Sequence, residues 1–175
     1  MISQAKYFVK DLDMMLGKNK FRFITIWLTQ TFWGIFWYRM ERSLFLVFGD
    51  YYRYLRIVIA PINFLIQSIT NIDIHYTADI KGGLLILHPS VGVVISGYSQ
   101  IGEKLTLTGG NIIGSKAGSI HGDIRIGSNC TLGANAAIIG PVRLGNNIKI
   151  AAMACVVADC IIDGVTLIGV PAKQK

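Results

Sequence analysis

The pattern of apolar and polar positions changes near residue 70. Before that point the chain is rich in aromatic residues, and the segment 32–48 (FWGIFWYRMERSLFLVF) has the mixed apolar and basic faces of an amphipathic helix. After that point the apolar residues follow neither the period of an α-helix nor the simple alternation of a β-strand. The sequence therefore predicts a helical, aromatic-rich region over 1–70 and a region of a different kind over 71–175.

In the second region an aliphatic residue returns at every sixth position. The run is Ile126, Leu132, Ile138, Leu144, Ile150, Val156, Ile162 and Ile168. The residue two positions before each of these is mostly small or β-branched, and Cys130 and Cys160 occupy that smaller position. One large and one smaller inward residue per hexapeptide predict short parallel strands wound into a solenoid, with about five coils of three hexapeptides each.

The same step extends upstream with interruptions. It links Ile80 to Ile86, and Ile101 to Leu107 and Ile113. Between Ile113 and Ile126 the phase slips, because their separation is not a multiple of six. The intervening segment 114–123 (GSKAGSIHGD) is therefore predicted to leave the solenoid as a protruding loop, a common position for binding residues.

Two uncharged apolar stretches, Phe23–Tyr38 and Ile57–Ile72, raise the question of membrane spans. Each is sixteen residues long, shorter than the roughly 20 residues that a span needs, and Pro61 breaks the second. We expect them to form amphipathic or interfacial helices. No signal peptide is expected, because charged residues interrupt the first twenty positions.

Composition and charge narrow the class of partner. Hydrophobic residues make up 52% of the chain and charged residues only 15%, so we expect a partner subunit or a lipid surface to cover part of the monomer. Residues 1–70 hold nine Lys and Arg against four Asp and Glu, and the remainder holds eight against six. A basic excess beside aromatic residues favours an anionic membrane surface over nucleic acid, for which no binding module is visible.

The cysteines and histidines indicate neither a disulfide framework nor a metal site. The three cysteines form an odd set without CxxC spacing, which is typical of reduced thiols in a cytosolic protein. Cys130 and Cys160 are expected to serve packing. The three histidines are far apart in the sequence, and their spacing fits no ligand pattern. We expect a metal-free cytoplasmic protein, in which residues 1–70 serve either as a peripheral contact to the inner face of the membrane or as an oligomerisation region.

Three segments carry a resemblance to a known family. They are DIHYTADIKGGLLILHPSVGVVI (73–95), LTLTGG (105–110) and IGVPAK (168–173). Together they resemble the serine acetyltransferase-like branch of the hexapeptide-repeat acyltransferases. The resemblance implies a mainly β fold, a left-handed parallel β-helix with an α-helical N-terminal region. It also implies acetyl-CoA as cosubstrate and a homotrimer in which a neighbouring prism completes the coenzyme cleft.

The same resemblance assigns roles to individual residues. His88 is implied as the general base, and Asp73, fifteen residues earlier, as the carboxylate that orients its ring. The implied coenzyme contacts are Gly109, Gly110, Ala134, Ala152 and Lys173. A lone histidine after an apolar run is otherwise most often a core residue, and the small residues also suit solenoid turns.

Departures from the family pattern bear on the acceptor. Leu87 stands where the family places an acceptor-binding Asp, and no Asp-Pro occurs in the chain. His121 lies in the loop where the family has a second histidine, but Asp123 occupies the matching position, so a role for His121 stays open. The prediction is an O-acetyltransferase acting on a sugar hydroxyl of a capsular or extracellular polysaccharide or its precursor. The alternatives are a serine O-acetyltransferase of cysteine biosynthesis and a non-enzymatic solenoid scaffold.

Overall fold

The computed structural model describes residues 2–174. Within this range, α-helices occupy the first part of the chain: α1 (Ile2–Leu16), α2 (Gln30–Phe48), α3 (Tyr52–Val58) and α4 (Ala60–Thr70). Short 3-10 helices connect them at Lys20–Ile24, Ile26–Leu28 and Gly49–Tyr51. In the described residues, no helix is both long and apolar enough to cross a membrane.

The apolar stretch Phe23–Tyr38 is not one helix, which corrects the sequence prediction. Thr29 interrupts it with an extended backbone, and its hydroxyl donates to the carbonyl of Ile26 while accepting from the backbone N–H of Phe32. A threonine in this position is a typical N-cap, because its side chain satisfies a free N–H of the first helical turn. As a result, residues 20–28 form a separate segment between α1 and α2, which we call the 3-10 segment.

The strands begin at residue 72 and form three sheets that the chain visits in turn. Sheet A contains β1 (Ile72–Ile74), β4 (Val93–Ile95), β7 (Asn111–Gly114), β10 (Ala137–Ile139) and β13 (Cys155–Val156). Sheet B contains β2 (Asp79–Ile80), β5 (Ser99–Ile101), β8 (Ile124–Ile126) and β11 (Val142–Leu144). Sheet C contains β3 (Leu85–Ile86), β6 (Thr106–Leu107), β9 (Thr131–Leu132), β12 (Lys149–Ile150), β14 (Thr166–Ile168) and β15 (Lys173–Gln174). All these pairings are parallel except β14 with β15, so the region is a solenoid of about five coils.

The register shows where coils are longer than three hexapeptides. In sheet A, the step from Ile95 to its partner Ile113 equals three hexapeptides. The step from Ile74 to Ile95 is three residues longer, and the step from Ile113 to Ile138 is seven residues longer. The extra three residues fall between β3 and β4, around a 3-10 turn at Pro89–Val91, and the extra seven fall between β7 and β8. Both insertions emerge at edges of the prism.

The six-residue period correctly predicts the core as far as Val156. Every predicted inward position from Ile80 to Val156 is at most 6% exposed. The prediction is wrong for Ile162 and Ile168, which are 57% and 40% exposed, while Leu167 is buried in their place. The reason is register. Leu144 pairs with Cys160, two residues before Ile162. The step from Ile150 to its partner Leu167 is one residue short of three hexapeptides, and a shift of one residue turns a side chain to the opposite face.

A buried ion pair holds the helices against the first coil. Arg39 of α2 donates from Nε and Nη2 to the two carboxylate oxygens of Asp11 in α1, at 2.8 and 3.2 Å. Asp11 Oδ1 also accepts from the backbone N–H groups of Gly83 and Leu84, both at 2.7 Å. Both charged side chains are almost fully buried, so this contact fixes both helices relative to the turn before β3.

Two further contacts from α2 fix the strand that leads to the candidate site. Thr31 Oγ1 donates to the carbonyl of Ile86 at 2.8 Å, one of the polar contacts buried between helix and solenoid. Tyr38 donates its hydroxyl to the carbonyl of Ala78 at 2.8 Å. Ile86 is two residues before His88, so α2 positions the backbone on which that histidine sits.

Candidate active site

The turns that lead from sheet C to sheet A stack on one another and form one edge of the prism. We call this the C–A edge, and it comprises residues 87–92, 108–110, 133–136 and 151–154. Backbone hydrogen bonds join successive turns, from the N–H of His88 to Thr108 O, from Asn135 to Gly109 O and from Met153 to Ala134 O, each at 2.9 Å. The edge is therefore a rigid, repeated surface, and its first turn contains the extra residues after β3.

His88 opens the first turn of this edge. Its side chain is exposed, and its backbone carbonyl accepts from the N–H of Val91 at 3.5 Å. Among the described residues, the structure gives its imidazole no hydrogen-bond partner. The ring is thus a solvent-accessible base at a rigid edge, which argues against the alternative that His88 is a satisfied core histidine.

Gly109 and Gly110 form the next turn, directly against His88. A Cβ on Gly109 would collide with the carbonyl oxygen of His88, and one on Gly110 would collide with Oδ1 of Asn135. Both glycines also have positive φ, 139° and 68°, which side chains disfavour. Close stacking against the His88 carbonyl therefore restricts position 109 to glycine, whereas at position 110 the positive φ favours glycine.

Asn111, which the sequence analysis missed, holds this turn in place. Its Oδ1 accepts from the N–H of Gly109 at 2.8 Å, and its Nδ2 donates to the carbonyl of Gly133 at 2.7 Å. The residue is buried in one of the smaller inward positions, two before Ile113. A polar residue in a slot that is usually apolar was the signal in the sequence that could have revealed it.

The other residues implied as coenzyme contacts lie further along the same edge. Ala134 and Ala152 fall in its third and fourth turns, and neither side chain extends beyond a methyl group. Lys173 is exposed on β15, where it pairs with Ile168 beside the last coil. The structure therefore places His88, the glycine pair and both alanines in one line.

Asp73 lies near this edge but is not bonded to His88 in the structure. It is the exposed central residue of β1, and its Oδ1 accepts from Gln67 Nε2 of α4 at 2.9 Å. In the range 2–174, no hydrogen bond is found between its carboxylate and the imidazole of His88. The residue thus lies on the sheet that starts at the C–A edge, and among residues 2–174 no hydrogen bond to its Oδ2 is found.

His75, the histidine two residues after Asp73, is held by contacts within the fold. His75 Nδ1 lies 2.7 Å from the hydroxyl of Thr77, and the ring stacks on Tyr76 with centroids 4.4 Å apart. Burial, and then the positive charge of Arg56, lowers the pKa of His75, against the opposing effect of Asp73. A neutral, stacked ring of this kind is suited to packing rather than to exchange of protons with a substrate.

The structure does not bring His121 to His88 within one chain. His121 is exposed in the loop 115–123, which joins sheet A to sheet B at a different edge of the prism. Asp123, which occupies the matching family position, accepts the backbone N–H of Ile120 at 2.8 Å and so closes a turn of this loop. Any contribution of either residue to the C–A edge would have to come from another copy of the chain.

A cavity beside His88 was also missed by the sequence analysis. It has a volume of about 260 Å³ and lies between the 3-10 segment and β3. Leu87 and Pro89, the two neighbours of His88 in sequence, line it, and so does Arg22 from the 3-10 segment. No periodic signal could have revealed it, because its walls are far apart in the sequence.

The positions of the cysteines, histidines and acidic residues bear on whether the chain could bind a metal ion or use a thiol as a nucleophile. Over residues 2–174, no group of three His, Cys, Asp or Glu side chains is arranged to hold a metal ion. The three cysteines are free thiols. Cys130 is buried in the predicted inward position, and its burial raises the pKa of the thiol, which suits packing and not nucleophilic attack.

A family model locates the repeat within the chain. The model of the hexapeptide repeat of succinyl-transferase matches residues 123–152, which span the third and fourth turns of the C–A edge. No curated protein matches the sequence. The match covers the most regular part of the solenoid, where the sixfold pattern is uninterrupted.

Solved structures with the same fold include several serine acetyltransferases. The enzyme from Neisseria gonorrhoeae aligns over 98% of this chain and 66% of its own, with 24% identity and a TM-score of 0.82. Soybean serine acetyltransferase aligns over 100% of this chain and 70% of its own, with 25% identity and a TM-score of 0.81. The Brucella abortus enzyme was solved in complex with coenzyme A. It aligns over 99% of this chain and 68% of its own, with 25% identity and a TM-score of 0.78.

These matches establish the hexapeptide-repeat acetyltransferase fold for this chain. The predicted left-handed parallel β-helix with N-terminal helices is thereby confirmed. The chain spans about two thirds of the length of the solved enzymes, 66% to 70% in the three cases.

Proposed function

We propose that this protein is an acetyl-CoA-dependent O-acetyltransferase in which His88 is the general base. The observation that carries the proposal is the line of residues on the C–A edge, where an exposed imidazole adjoins a track of glycine and alanine. One solved structure with this fold is a coenzyme A complex, which supports acetyl-CoA as the donor. The small side chains along the track allow the extended arm of the coenzyme to approach the backbone closely.

In this mechanism His88 accepts the proton of the acceptor hydroxyl. The hydroxyl oxygen forms a bond to the carbonyl carbon of the acetyl group, and the carbon–sulfur bond then breaks. The protonated imidazole returns its proton to the departing sulfur, so that the base is regenerated. Imidazole suits both steps because it gains and loses a proton near neutral pH.

Asp73 is proposed to orient the ring of His88. Its free oxygen would accept from the second ring nitrogen, which fixes the tautomer and stabilises the imidazolium. The bond to Gln67 leaves this oxygen available. Hydrogen bonds of catalytic groups often shorten only when substrate is bound, so the absence of this bond here is compatible with the role.

The remaining implied residues complete the donor side. Gly109 and Gly110 lie nearest to His88, where the thioester end belongs, and Ala134 and Ala152 follow along the arm. Lys173, exposed beside the last coil, is proposed to meet a phosphate of the coenzyme as a point charge.

For the acceptor we propose a carbohydrate hydroxyl, with serine as the second candidate. The names of the solved neighbours favour serine. The chemistry beside His88 favours a sugar, because Leu87 replaces the family's acceptor-binding carboxylate and none of the residues that line the adjoining cavity is acidic. A serine ammonium group would have no counter-charge there, and charge-assisted bonds are the strong ones.

A homotrimer and a membrane-surface location remain proposals. Exposed apolar side chains such as Val94 and Ile112 on sheet A are consistent with burial against another copy. In the 3-10 segment, Phe21 and Phe23 are 83% and 67% exposed next to basic residues, a composition that suits an anionic lipid surface. Light scattering tests the first proposal, and co-sedimentation with anionic and neutral vesicles tests the second.

The experiment that tests the function is an acetyl-transfer assay with acetyl-CoA, free serine and a panel of sugars, in which the release of coenzyme A is measured. The expected result is transfer to at least one sugar, loss of transfer in His88→Ala and poor turnover of serine. Efficient turnover of serine with no sugar acetylated would support the second candidate. Absence of transfer to every acceptor would refute the proposed activity and support a scaffold.

A further inference from the structure

The cavity next to the turn of His88 is the candidate acceptor pocket; Leu87 and Pro89 line it, whereas His88 itself is not among its lining residues. Its lining residues come from α1, the 3-10 segment, the start of α2 and the end of β3: Met14, Met15, Arg22, Ile26, Thr29, Gln30, Thr31, Leu85, Ile86, Leu87 and Pro89. Because Leu87 and Pro89 flank His88 in sequence, the cavity and the exposed imidazole share one turn. The volume of about 260 Å³ lies below the range of roughly 300–1,000 Å³ for drug-sized ligands, so it suits one sugar residue rather than an oligomer.

Arg22 is the one charged residue in this lining set. In the described part of the chain, no carboxylate forms a salt bridge with its guanidinium. The hydroxyls of Thr29 and Thr31 already donate to Ile26 O and Ile86 O, and Gln30 donates one of its two amide N–H groups to Ile69 O. The cavity therefore presents a positive charge with free donors and offers no acidic group to a cation.

This arrangement selects for an anion. A guanidinium has a planar fork of N–H donors that matches a carboxylate or a phosphate in a two-point contact. The same charge repels an ammonium group at this position. The apolar walls, which include Met15, Ile26 and Leu87, suit the C–H face of a sugar ring.

We infer that the acceptor is a monosaccharide unit that carries a carboxylate or phosphate group, and that Arg22 binds this group while a hydroxyl faces His88. The inference rests on the proposed acetyl transfer. It assigns the choice of acceptor to the 3-10 segment, while the transfer step belongs to the C–A edge.

The test compares matched acidic and neutral acceptors. Glucuronic acid and glucose 6-phosphate are assayed beside glucose, and N-acetylneuraminic acid beside N-acetylmannosamine, each with acetyl-CoA. Wild-type protein should prefer acidic members of the panel. Arg22→Gln should lower kcat/KM for the preferred acid by about 10- to 100-fold, mainly through KM, and should change the neutral acceptors less than twofold. The carboxylate and phosphate arms identify which anion is used.

Two further variants separate a specific contact from general loss of charge. Arg22→Lys keeps the charge without the planar fork and should fall between wild type and Arg22→Gln. Arg53→Gln removes an exposed arginine of α3 that borders a different cavity and should leave the preference unchanged. Equal loss in Arg53→Gln and Arg22→Gln would overturn the inference, because long-range attraction would then explain the effect.

Binding measured by calorimetry distinguishes failure of the inference from failure of the proposed function. Acetyl transfer that shows no preference for acids and no dependence on Arg22 overturns the inference and leaves the transferase activity intact. If no acceptor is acetylated, acids that bind wild type but not Arg22→Gln still support the anion site and refute the activity. If no acid of the panel binds or reacts better than its neutral counterpart, the anion site is refuted.

Discussion

In the solenoid, each coil buries the same kind of residue at the same position as the coil before it, whereas the helices contact the first coil through polar side chains that occur once. Leu107, Leu132 and Ile150 illustrate the first case, since they pair successively in sheet C and are at most 3% exposed. Arg39 and Asp11 illustrate the second, since their ion pair is buried between helices and coil without a counterpart elsewhere in the described residues.

This difference between the solenoid and the helices corresponds to two proposed roles, the transfer step and the choice of acceptor. Repeated turns place His88, the glycine pair and the alanines along one edge of the prism. The 3-10 segment places Arg22 in the wall of the cavity, beside residues that are distant in the sequence. We therefore expect changes in the solenoid edge to affect the transfer step, and changes in the helical region to affect stability or the choice of acceptor.

The largest effect is expected from His88→Ala. Loss of a general base should lower kcat by about 10²- to 10⁴-fold, while acetyl-CoA still binds to the remainder of the edge. Steady-state kinetics and calorimetry with coenzyme A measure the two quantities separately. Ser90→Ala, an exposed change in the same turn, is the control and should retain activity. Wild-type kcat in His88→Ala would show that the base lies elsewhere.

The next largest effect concerns the contact between helices and coil. Asp11→Ala leaves the buried guanidinium of Arg39 without its partner and two backbone N–H groups without an acceptor. Removal of one member of a buried ion pair costs about 3–5 kcal/mol, and urea unfolding measures this loss in the free energy of unfolding.

The control for this prediction is an exposed ion pair between the same two regions. Lys10 and Glu103 form a salt bridge at 2.7 Å with both side chains about half exposed, so Lys10→Ala should cost less than about 1 kcal/mol. Similar losses for Asp11→Ala and Lys10→Ala would contradict the view that a few buried polar contacts hold the helices in place.

A comparison within the repeat sharpens the account of the solenoid. Leu132→Ala removes a fully buried side chain and should cost about 2–5 kcal/mol through lost burial and the cavity left behind. Ile162→Ala, at a position of the same six-residue series that is 57% exposed, should cost about 0.5 kcal/mol or less. Thermal or urea unfolding of the two variants measures this difference, and equal losses would mean that the last coil keeps the period after all.

These cases show how far the fold follows from the sequence. The period of six predicts the inward residues because each coil repeats the same step, so one phase fixes all positions from Ile126 to Val156. It fails at Ile168 because the step from β12 to β14 is one residue shorter than three hexapeptides, a change that an aliphatic-rich sequence does not reveal. The Phe23–Tyr38 stretch fails for a local reason, the N-cap at Thr29.

The candidate site likewise has a part that could be predicted from the sequence and a part that could not. The residues of the C–A edge could be predicted because motifs place them, and the stacked turns then bring them into line. The cavity with Arg22 could not be predicted, because it depends on how a segment near residue 22 packs against a strand that is distant in the sequence. His121 lies in the predicted loop, but only the sheet topology shows that this loop leaves from another edge.

The smallest effect is expected from Asp73→Asn. Asp73 is exposed and already accepts from Gln67, so water and this amide stabilise its charge and reduce what it can contribute to His88. We expect kcat to fall by about tenfold, or ~1.4 kcal/mol of barrier, with little change in the KM for acetyl-CoA. Asp50→Asn, which removes an exposed carboxylate from the 3-10 helix after α2, should leave kcat unchanged.

A double-mutant cycle tests whether Asp73 acts on catalysis or only on structure. Gln67→Leu removes a donor that competes for the carboxylate, so it should raise kcat when Asp73 is present and have no effect in the Asp73→Asn background. Such coupling is expected only if the carboxylate turns from the amide towards the imidazole during turnover. If the two substitutions instead lower the free energy of unfolding together while kcat of the folded protein stays at the wild-type value, the Gln67–Asp73 bond merely holds α4 to β1, and the orienting role of Asp73 is wrong.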